Sequence, residues 1–391
     1  MQGFIVCVLV LYFISPCLCI RFNVITTSDT TYNVMQYGAT GDGKSDDTKA
    51  FSSAWSSACK AEGKATLVIP SGKSFLVKKV DFSGPCNAEI LIQFEGKIVA
   101  PSKDAWEARP YLIEINSVNA LTIDGNNVGE IDGNGATWWD CSDCKRPGVF
   151  HFHKCDKLNV SNLAISNSPR SHVSVNECNG ATISKISIDA PDSSPNTDGI
   201  DVSDSTNILI QDSDIKSGDD CIAINGGTSF LDAKRITCGP GHGISVGSLG
   251  KDGASDQVSN IYVQNCTFKE TTNGARIKTF PGGSGYAKNI TYDQIILENV
   301  KNPIIINQEY NNYLQETSVT VSSVTFRGFS GTYAGKVAIN LDCSSSGCFD
   351  ITLDQNNILP AEDENNSDSV ICKNAHGKVA DTIPNVPCLS Q

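Results

Sequence analysis

The chain has 391 residues, a formal net charge of −13 and a sequence pI of about 4.8. This acidic balance argues against a nucleic-acid-binding protein, which needs a basic face. Hydrophobic residues make up 40% of the chain, which is enough for a sizeable core and excludes wholesale disorder.

An apolar run at the N-terminus, FIVCVLVLYFI at 4–14, has 11 residues and is too short to cross a bilayer. The small residues Cys17 and Cys19 follow it and suit cleavage by signal peptidase after Cys19. A buried N-terminal strand is the alternative interpretation of this run. We therefore predict a signal peptide at 1–19 and a secreted domain at 20–391.

The cysteine content agrees with secretion, because 16 cysteines are too many for an ordinary cytosolic enzyme. Removal of the signal peptide leaves 13 cysteines, so at least one is a free thiol or pairs with another molecule. The cluster of Cys141, Cys144, His151, His153 and Cys155 resembles zinc-ligand spacing, but disulfides are favoured in an oxidising compartment.

Four sequons for N-glycosylation also fit a secreted glycoprotein. They begin at Asn159, Asn265, Asn289 and Asn365. The last four cysteines of the chain predict a C-terminal end that is held by disulfides. They are Cys343, Cys348, Cys372 and Cys388.

The segment at 32–59 is predicted to form a strand, a glycine-rich loop and then a helix. Asp46 or Asp47 is the predicted N-cap of that helix. One face of the helix is apolar and consists of Ala50, Phe51, Ala54, Trp55 and Ala58. A solenoid needs a cap over its exposed end, and this amphipathic helix is the candidate.

Short units rich in Val, Ile and Thr recur along the rest of the chain and predict strands. Aligned positions are Val160, Ile183, Ile210, Ile236, Val263, Tyr292 and Val321, at spacings of 23, 27, 26, 27, 29 and 29. A period of this size indicates a solenoid. We predict an all-β, single-domain, right-handed parallel β-helix, in preference to a propeller or a sandwich, whose periods differ.

Aspartates and glycines are concentrated between 196 and 278, in segments about one coil apart. Asp198, Asp219, Asp220, His242 and Arg276 occupy these segments. Residues one period apart in a solenoid stack on one face, so the side chains are expected to converge on one wall. Clustered carboxylates repel one another, and at least one should have a raised pKa, as the acid and base of a glycosidase require.

Each of these segments also has a purely structural interpretation. Asp198 and Asp201 are suited to turns, and an Asp-Asp pair after Gly218 is ordinarily part of a turn. Arg276 and Lys278 alternate across Ile277 and are suited to an exposed strand. Taken singly these interpretations prevail. Because the four polar clusters occupy the same position in successive coils, a functional site is favoured over four unrelated structural features.

The four motifs NTD (196–198), DD (219–220), GHG (241–243) and RIK (276–278) resemble, in order and spacing, the plant-type polygalacturonases of glycoside hydrolase family 28. The resemblance extends to YGATGDGKSDDTKAF (37–51) and GPGHGISVGSLG (239–250), and it covers essentially the whole mature chain. It implies a right-handed parallel β-helix and inverting hydrolysis of α-1,4 bonds between the galacturonate units of pectin.

The resemblance also implies roles for individual residues. Asp219 corresponds to the general acid, and Asp198 and Asp220 correspond to the residues that hold and activate water. His242 corresponds to a residue beside the acid that helps to set its protonation. Residues that correspond to substrate contacts are Asn196, Arg276, Lys278 and Tyr310. A disulfide between Cys221 and Cys238 beside the site is implied as well.

The expected ligand is pectin or polygalacturonate in the extracellular space or the plant cell wall, without a metal or other cofactor. Proteinaceous inhibitors are expected partners, nucleic acid and membrane are not, and the expected state is a monomer. Three alternatives remain open: a hydrolase of another pectic backbone such as rhamnogalacturonan, a catalytically silent pectin-binding wall protein, and a calcium-dependent lyase. The choice between endo and exo action also remains open.

Overall fold

The computed structural model describes residues 30–107, 109–141, 143–310, 318–361 and 369–389. The predicted signal peptide at 1–19 and the sequon at Asn365 lie outside these ranges. None of the helices within them is long and apolar enough to cross a membrane.

The described residues form 30 strands, and neighbouring strands pair in parallel in two sheets. One sheet has eleven strands: Val80–Ser83, Tyr111–Asn116, Gly148–His153, Val173–Asn176, Ile200–Ser203, Ile222–Ile224, Ile244–Leu249, Asn273–Thr279, Asn302–Asn307, Ile339–Asp342 and Val370–Lys373. Each inner strand of this eleven-stranded sheet pairs with the strands one coil before and one coil after it, and the two edge strands pair on one side. This pairing confirms the predicted parallel β-helix.

The other sheet has nineteen strands and wraps the remaining sides of each coil. Its strands are Thr30–Asn33, Asp42–Asp46, Lys64–Ile69, Ser74–Leu76, Glu89–Phe94, Lys97–Val99, Thr122–Asp132, Asn159–Ser166, Asn179–Asp189, Thr206–Lys216, Ser229–Cys238, Ser255–Gln264, Thr267–Lys269, Ser284–Asp293, Ile296–Val300, Thr320–Arg327, Ser330–Tyr333, Cys348–Pro360 and Ala375–Ile383. Short 3₁₀ segments lie at Val34–Tyr37, Lys103–Ala105, Gly135–Thr137, Lys251–Gly253 and Pro387–Leu389. One continuous hydrophobic core runs between the two sheets.

The predicted cap is the α-helix Thr48–Lys60, and the five apolar residues predicted for its inner face are all buried. Trp55 stacks on Phe82 with ring centroids 4.6 Å apart, and this contact packs the helix against the first coil. Asp47 occupies the N-cap position. Its carboxylate accepts hydrogen bonds from the backbone N–H groups of Thr40 (2.6 Å) and Gly41 (3.2 Å), so it holds the glycine-rich loop rather than the helix end.

The predicted repeat is correct in kind, but two of its positions are out of phase. The stacked column runs through Val160, Ile183, Ile210, Ala233, Val263, Tyr292 and Phe326. The predicted positions Ile236 and Val321 are therefore wrong. Each long strand carries two buried columns on either side of a corner residue with a left-handed backbone, such as Arg235 (φ 54°). Apolar spacing does not distinguish the two columns.

The 13 cysteines of the described residues form five disulfides and three free, buried thiols. The pairs are Cys59–Cys86, Cys141–Cys144, Cys221–Cys238, Cys343–Cys348 and Cys372–Cys388. The pairs Cys343–Cys348 and Cys372–Cys388 confirm that disulfides hold the C-terminal end. The pair Cys141–Cys144 supports a disulfide at these two cysteines rather than a zinc site. The free thiols are Cys155, Cys178 and Cys266.

Candidate active site

Asn196, Asp198, Asp219, Asp220 and His242 lie on turns that precede successive strands of the eleven-stranded sheet, while Arg276 and Lys278 lie within the strand Asn273–Thr279. Ile200 pairs with Ile222 and Ile222 pairs with Ile244, so the turns before these three residues stack directly. Backbone bonds tie the turns together: the N–H of His242 donates to the carbonyl of Asp219 at 2.7 Å. The coils therefore bring residues about 20 positions apart in sequence onto one wall.

Asp219 lies between two hydrogen-bonding side chains. Its Oδ1 is 2.8 Å from Nδ1 of His242, and its Oδ2 accepts from the amide of Asn196 at 3.2 Å. Burial raises the pKa of Asp219, but the His242 hydrogen bond and the nearby cations Lys278 and Arg276 outweigh it and leave the pKa lowered. In the free protein Asp219 is thus the carboxylate that loses its proton readily.

Asp220 is almost completely buried and is held by two cations. Its Oδ1 accepts from Nη2 of Arg276 at 2.6 Å, and its Oδ2 accepts from Nζ of Lys278 at 2.7 Å. The hydroxyl of Ser245 also donates to Oδ1 at 2.7 Å, and Nε of Arg276 donates to that same hydroxyl at 2.9 Å. The cation pair predicted to hold substrate therefore neutralises Asp220 in the free protein.

Asp198 carries the raised pKa that the cluster predicts. Burial is the main cause, and the charges of Asp201, Asp219 and Asp220 add to it. Its partner Asp201 is half-buried, and desolvation by the surrounding protein raises the pKa of Asp201 to about 6. The two carboxyl groups share a hydrogen bond, so this coil holds a proton at mildly acidic pH.

Asp201 is a site residue that the sequence analysis treated only as a possible turn residue. It lies in the strand Ile200–Ser203, between the fully buried Ile200 and Val202. Strict alternation in that strand points Asp201 to the outer face, and this alternation is the signal that identifies it.

Two glycines make the geometry possible. A Cβ at Gly218 would lie 1.9 Å from the carbonyl oxygen of Ser194, so only glycine fits against the preceding coil. Gly218 is therefore required for the close approach of two coils. Gly243, after the histidine, has φ +73°, a left-handed backbone that glycine adopts readily.

The remaining predicted residues lie next to this cluster. Nζ of Lys278 is 5.7 Å from the ring centroid of Tyr310, which places the tyrosine beside the cation pair. The side-chain oxygen of Asn196 accepts from Nη2 of Arg146 at 2.7 Å, so Asn196 joins Arg146 to Asp219. The structure thus brings all eight predicted site residues together, and their roles remain predictions.

Within the described residues, one group of three side chains has metal-ligand proximity. The candidate ligand atoms of Asp219, Asp220 and His242 lie within 4.8 Å of one another. Both oxygens of Asp220 already accept hydrogen bonds from Arg276 and Lys278, and the charge of these two cations opposes a further cation there. The donor set therefore suits acid–base chemistry better than metal binding.

Clustered carboxylates with separated pKa values are the arrangement that glycoside hydrolases use. The fold and the site are together those of a glycoside hydrolase built on a parallel β-helix. Comparisons with known proteins agree, because the model of the family described as "Glycosyl hydrolases family 28" matches residues 59–382. The chain belongs to this family.

Two curated relatives and two solved structures illustrate the similarity. A probable polygalacturonase of Arabidopsis thaliana is 44% identical over 94% of this chain and 82% of its own length. A polygalacturonase of Persea americana is 42% identical over 83% of this chain and 74% of its own length. The endo-xylogalacturonan hydrolase from Aspergillus tubingensis has a TM-score of 0.78 at 28% identity, covering 91% of this chain and 97% of that chain. The polygalacturonase from Erwinia carotovora ssp. carotovora has a TM-score of 0.71 at 25% identity, covering 90% and 96%.

Proposed function

We propose that the chain is a pectin-degrading polygalacturonase, which hydrolyses the α-1,4-galacturonosyl linkages of homogalacturonan. The observation that carries the proposal is the convergence of Asp198, Asp219 and Asp220 with the cations Arg276 and Lys278 on one wall. Carboxylates supply the acid and base for glycoside cleavage, and adjacent cations suit a substrate that carries one carboxylate per sugar. The names of the curated relatives support the same substrate class.

The proposed mechanism is inverting and uses Asp219 as the general acid. Asp219 protonates the leaving oxygen while water, held by Asp198 and Asp220, attacks the anomeric carbon. Asp198 is the better proton acceptor of the two, because its pKa is raised and Asp220 is neutralised by Arg276 and Lys278. His242 tunes Asp219 through their hydrogen bond.

The protonation states of the free protein add a requirement to this mechanism. The pKa of Asp198 is raised and that of Asp219 is lowered, so the proton rests on Asp198 rather than on the acid. This is also the state that an inverting turnover leaves behind. Bound uronate raises the pKa of Asp219, because it excludes water and brings a like charge, and the proton then moves to the acid.

Hydrolysis of polygalacturonate, followed as new reducing ends and as product size over time, tests the proposal. We expect saturated products without added calcium, and Asp219→Asn should lower kcat by at least about 10²-fold in a folded protein. Early oligomers indicate endo action, and monomer alone indicates exo action. Xylogalacturonan and rhamnogalacturonan serve as comparison substrates. Retention of pectin without new reducing ends would contradict the proposal.

We further propose that the protein is secreted to the cell wall as one β-helical domain at 20–391, after loss of residues 1–19. The five disulfides support an oxidising destination. The sequons at Asn159, Asn265 and Asn289 lie at exposed positions, where a glycan has room. Mass spectrometry of protein secreted from plant cells gives the mature N-terminus and the occupied sequons. An N-terminus that retains residues 1–19 would contradict the signal peptide.

A further inference from the structure

A cavity of about 550 Å³ lies on the nineteen-stranded sheet, and none of the eight predicted site residues lines it. Among the described residues, the charged side chains of its lining are Asp232 and Lys234, which pair with one another at 2.8 Å. Polygalacturonate carries one charge per sugar and does not match a lining without net charge. The cavity therefore suits a neutral, polar occupant.

Phe230 is an unusual residue in this lining. The strand register places Phe230 at the same corner position as Asn207 in the coil before it, and as Asn260 and Asn289 in the two coils after it. We call these four residues the corner row. All four have a left-handed backbone, with φ between 53° and 59°. Asparagine tolerates this conformation, whereas bulky residues rarely adopt it.

Exposure is the second unfavourable feature of Phe230, because 58% of this residue is accessible to water. A single exposed apolar side chain on a surface is ordinary, but here it coincides with a strained backbone at the edge of a cavity. Residues that persist in a strained conformation are found where they interact with something. We therefore looked for an occupant that covers the ring.

The corner row also contains a glycosylation sequon, which consists of Asn289, Ile290 and Thr291. Asn289 and Thr291 both line the cavity, and Asn289 is exposed. Nδ2 of Asn289 donates to Oδ1 of Asn260 at 3.3 Å, so the amide that would carry a glycan is directed along the row toward Phe230. A glycosylated amide keeps one N–H, and this hydrogen bond is therefore compatible with the modification.

We propose that an N-glycan on Asn289 lies back along the corner row and packs its first sugars on the ring of Phe230. Two coils separate these residues, about 10 Å at the ordinary strand spacing, which the first two sugars of the glycan cover. The flat apolar ring suits the C–H face of a sugar, and Asp232 and Lys234 provide hydrogen-bonding groups for its hydroxyls. The inference rests on the proposed secretion and glycosylation, and it assigns the glycan a structural role. Covering Phe230 removes apolar surface from water and connects three coils.

Thermal unfolding of protein secreted from plant cells tests the contact. We expect Phe230→Asn to lower Tm by about 2 °C when Asn289 is glycosylated, because the sugars lose their apolar surface. Thr291→Val removes the sequon and keeps Asn289. In that background Phe230→Asn should leave Tm unchanged or raise it, because asparagine fits the left-handed backbone and no glycan is lost. An equal decrease in both backgrounds would overturn the inference.

The sequon at Asn265 provides the matched control. Asn265 is exposed and has a left-handed backbone, but it does not line the cavity. Thr267→Val removes this sequon, and Phe230→Asn should then lower Tm as it does in the unmodified chain. Glycopeptide mass spectrometry gives the occupancy of each site. A secreted protein whose Asn289 is unmodified would overturn the inference alone, whereas a chain that is not secreted would contradict the proposed secretion.

Release of glycans from the folded protein is a second readout that needs no variant. Peptide N-glycosidase should release the glycan at Asn289 more slowly than the glycans at Asn159 and Asn265, and Phe230→Asn should accelerate release at Asn289 alone. Equal rates at all occupied sites would count against the contact. Light scattering checks the other occupant, a second copy of the chain. A dimer that Phe230→Asn dissociates, whether or not Asn289 is glycosylated, would also overturn the inference.

Discussion

Nδ1 of His242 lies 2.8 Å from Oδ1 of Asp219, and this contact decides which carboxyl group of the site ionises first. The imidazole, together with Lys278 and Arg276, lowers the pKa of Asp219 against the opposing effect of burial. Among the described residues Asp198 hydrogen-bonds another carboxyl group, Asp201, and its pKa is raised. The proposed acid therefore has the lower pKa and the proposed base the higher.

Replacement of His242 by alanine should raise the pKa of Asp219, because it removes the hydrogen bond that favours the ionised form. With the lower pKa on Asp219, the acid-side limb of kcat/KM against pH reports this group. We expect that limb to move to higher pH in His242→Ala. The measurement is the pH profile on polygalacturonate, and a folded variant with an unshifted acid-side limb would contradict the assignment.

Replacement of Asp201 should shift the alkaline-side limb of the pH profile of kcat/KM. Its charge raises the pKa of Asp198, second only to burial, so Asp201→Asn should lower that pKa. A base with a lower pKa stays ionised to lower pH, and the alkaline-side limb, which reports Asp198, should move to lower pH. Asp212→Asn is the matched control, because Asp212 pairs with Arg235 on the nineteen-stranded sheet. A shift in both variants, or in neither, would exclude Asp201 from the site.

Much of the fold was predictable because the same pattern of apolar and polar residues recurs in every coil of a solenoid. The apolar face of the helix Thr48–Lys60 and the convergence of the four polar motifs both follow from residue spacing alone. The column to which Ile236 belongs was not predictable, because one strand contributes residues to two buried columns. Arg235, with its left-handed backbone, forms the corner between these columns. Periodicity gives the coil length, while the corner depends on backbone conformation.

The electrostatics of the site were predictable only in part. Repulsion among clustered carboxylates predicts one raised pKa, and Asp198 has it. The resemblance placed His242 beside Asp219 but did not give the direction of its effect, which is to lower the pKa of Asp219. The sequence did not indicate that Asp220 occupies both Arg276 and Lys278. Such partner choices depend on side-chain directions across three coils, which spacing does not specify.

Asp220 should matter for stability as well as for activity. Replacement by alanine leaves Arg276 and Lys278 buried without their anion, and breaking a buried ion pair costs about 3–5 kcal/mol. Asp219→Asn should cost less, because Asp219 is partly exposed and the amide oxygen can keep the hydrogen bonds made by Oδ1. Thermal unfolding at pH 7 provides the comparison.

Asp293→Ala is the control for this prediction. Asp293 is also buried and paired, but its partner Arg327 is 44% exposed and returns to water when the pair is lost. We therefore expect Asp293→Ala to lower Tm less than Asp220→Ala. If Asp220→Ala unfolds at the same temperature as Asp219→Asn, the two cations do not depend on Asp220.

Arg276→Lys should weaken substrate binding although it preserves the charge. Lysine has a single donor group, so it cannot contact both Ser245 and Asp220 as the fork of Arg276 does and also present a fixed donor to a uronate carboxylate. Lys278 still neutralises Asp220 in this variant, so the main effect should be on KM for polygalacturonate, which we expect to rise about tenfold. Arg327→Lys changes an arginine that also donates two hydrogen bonds, both to Asp293 of the nineteen-stranded sheet, and should leave KM unchanged. An unchanged KM in Arg276→Lys, or an equal rise in Arg327→Lys, would show that Arg276 serves only to neutralise Asp220.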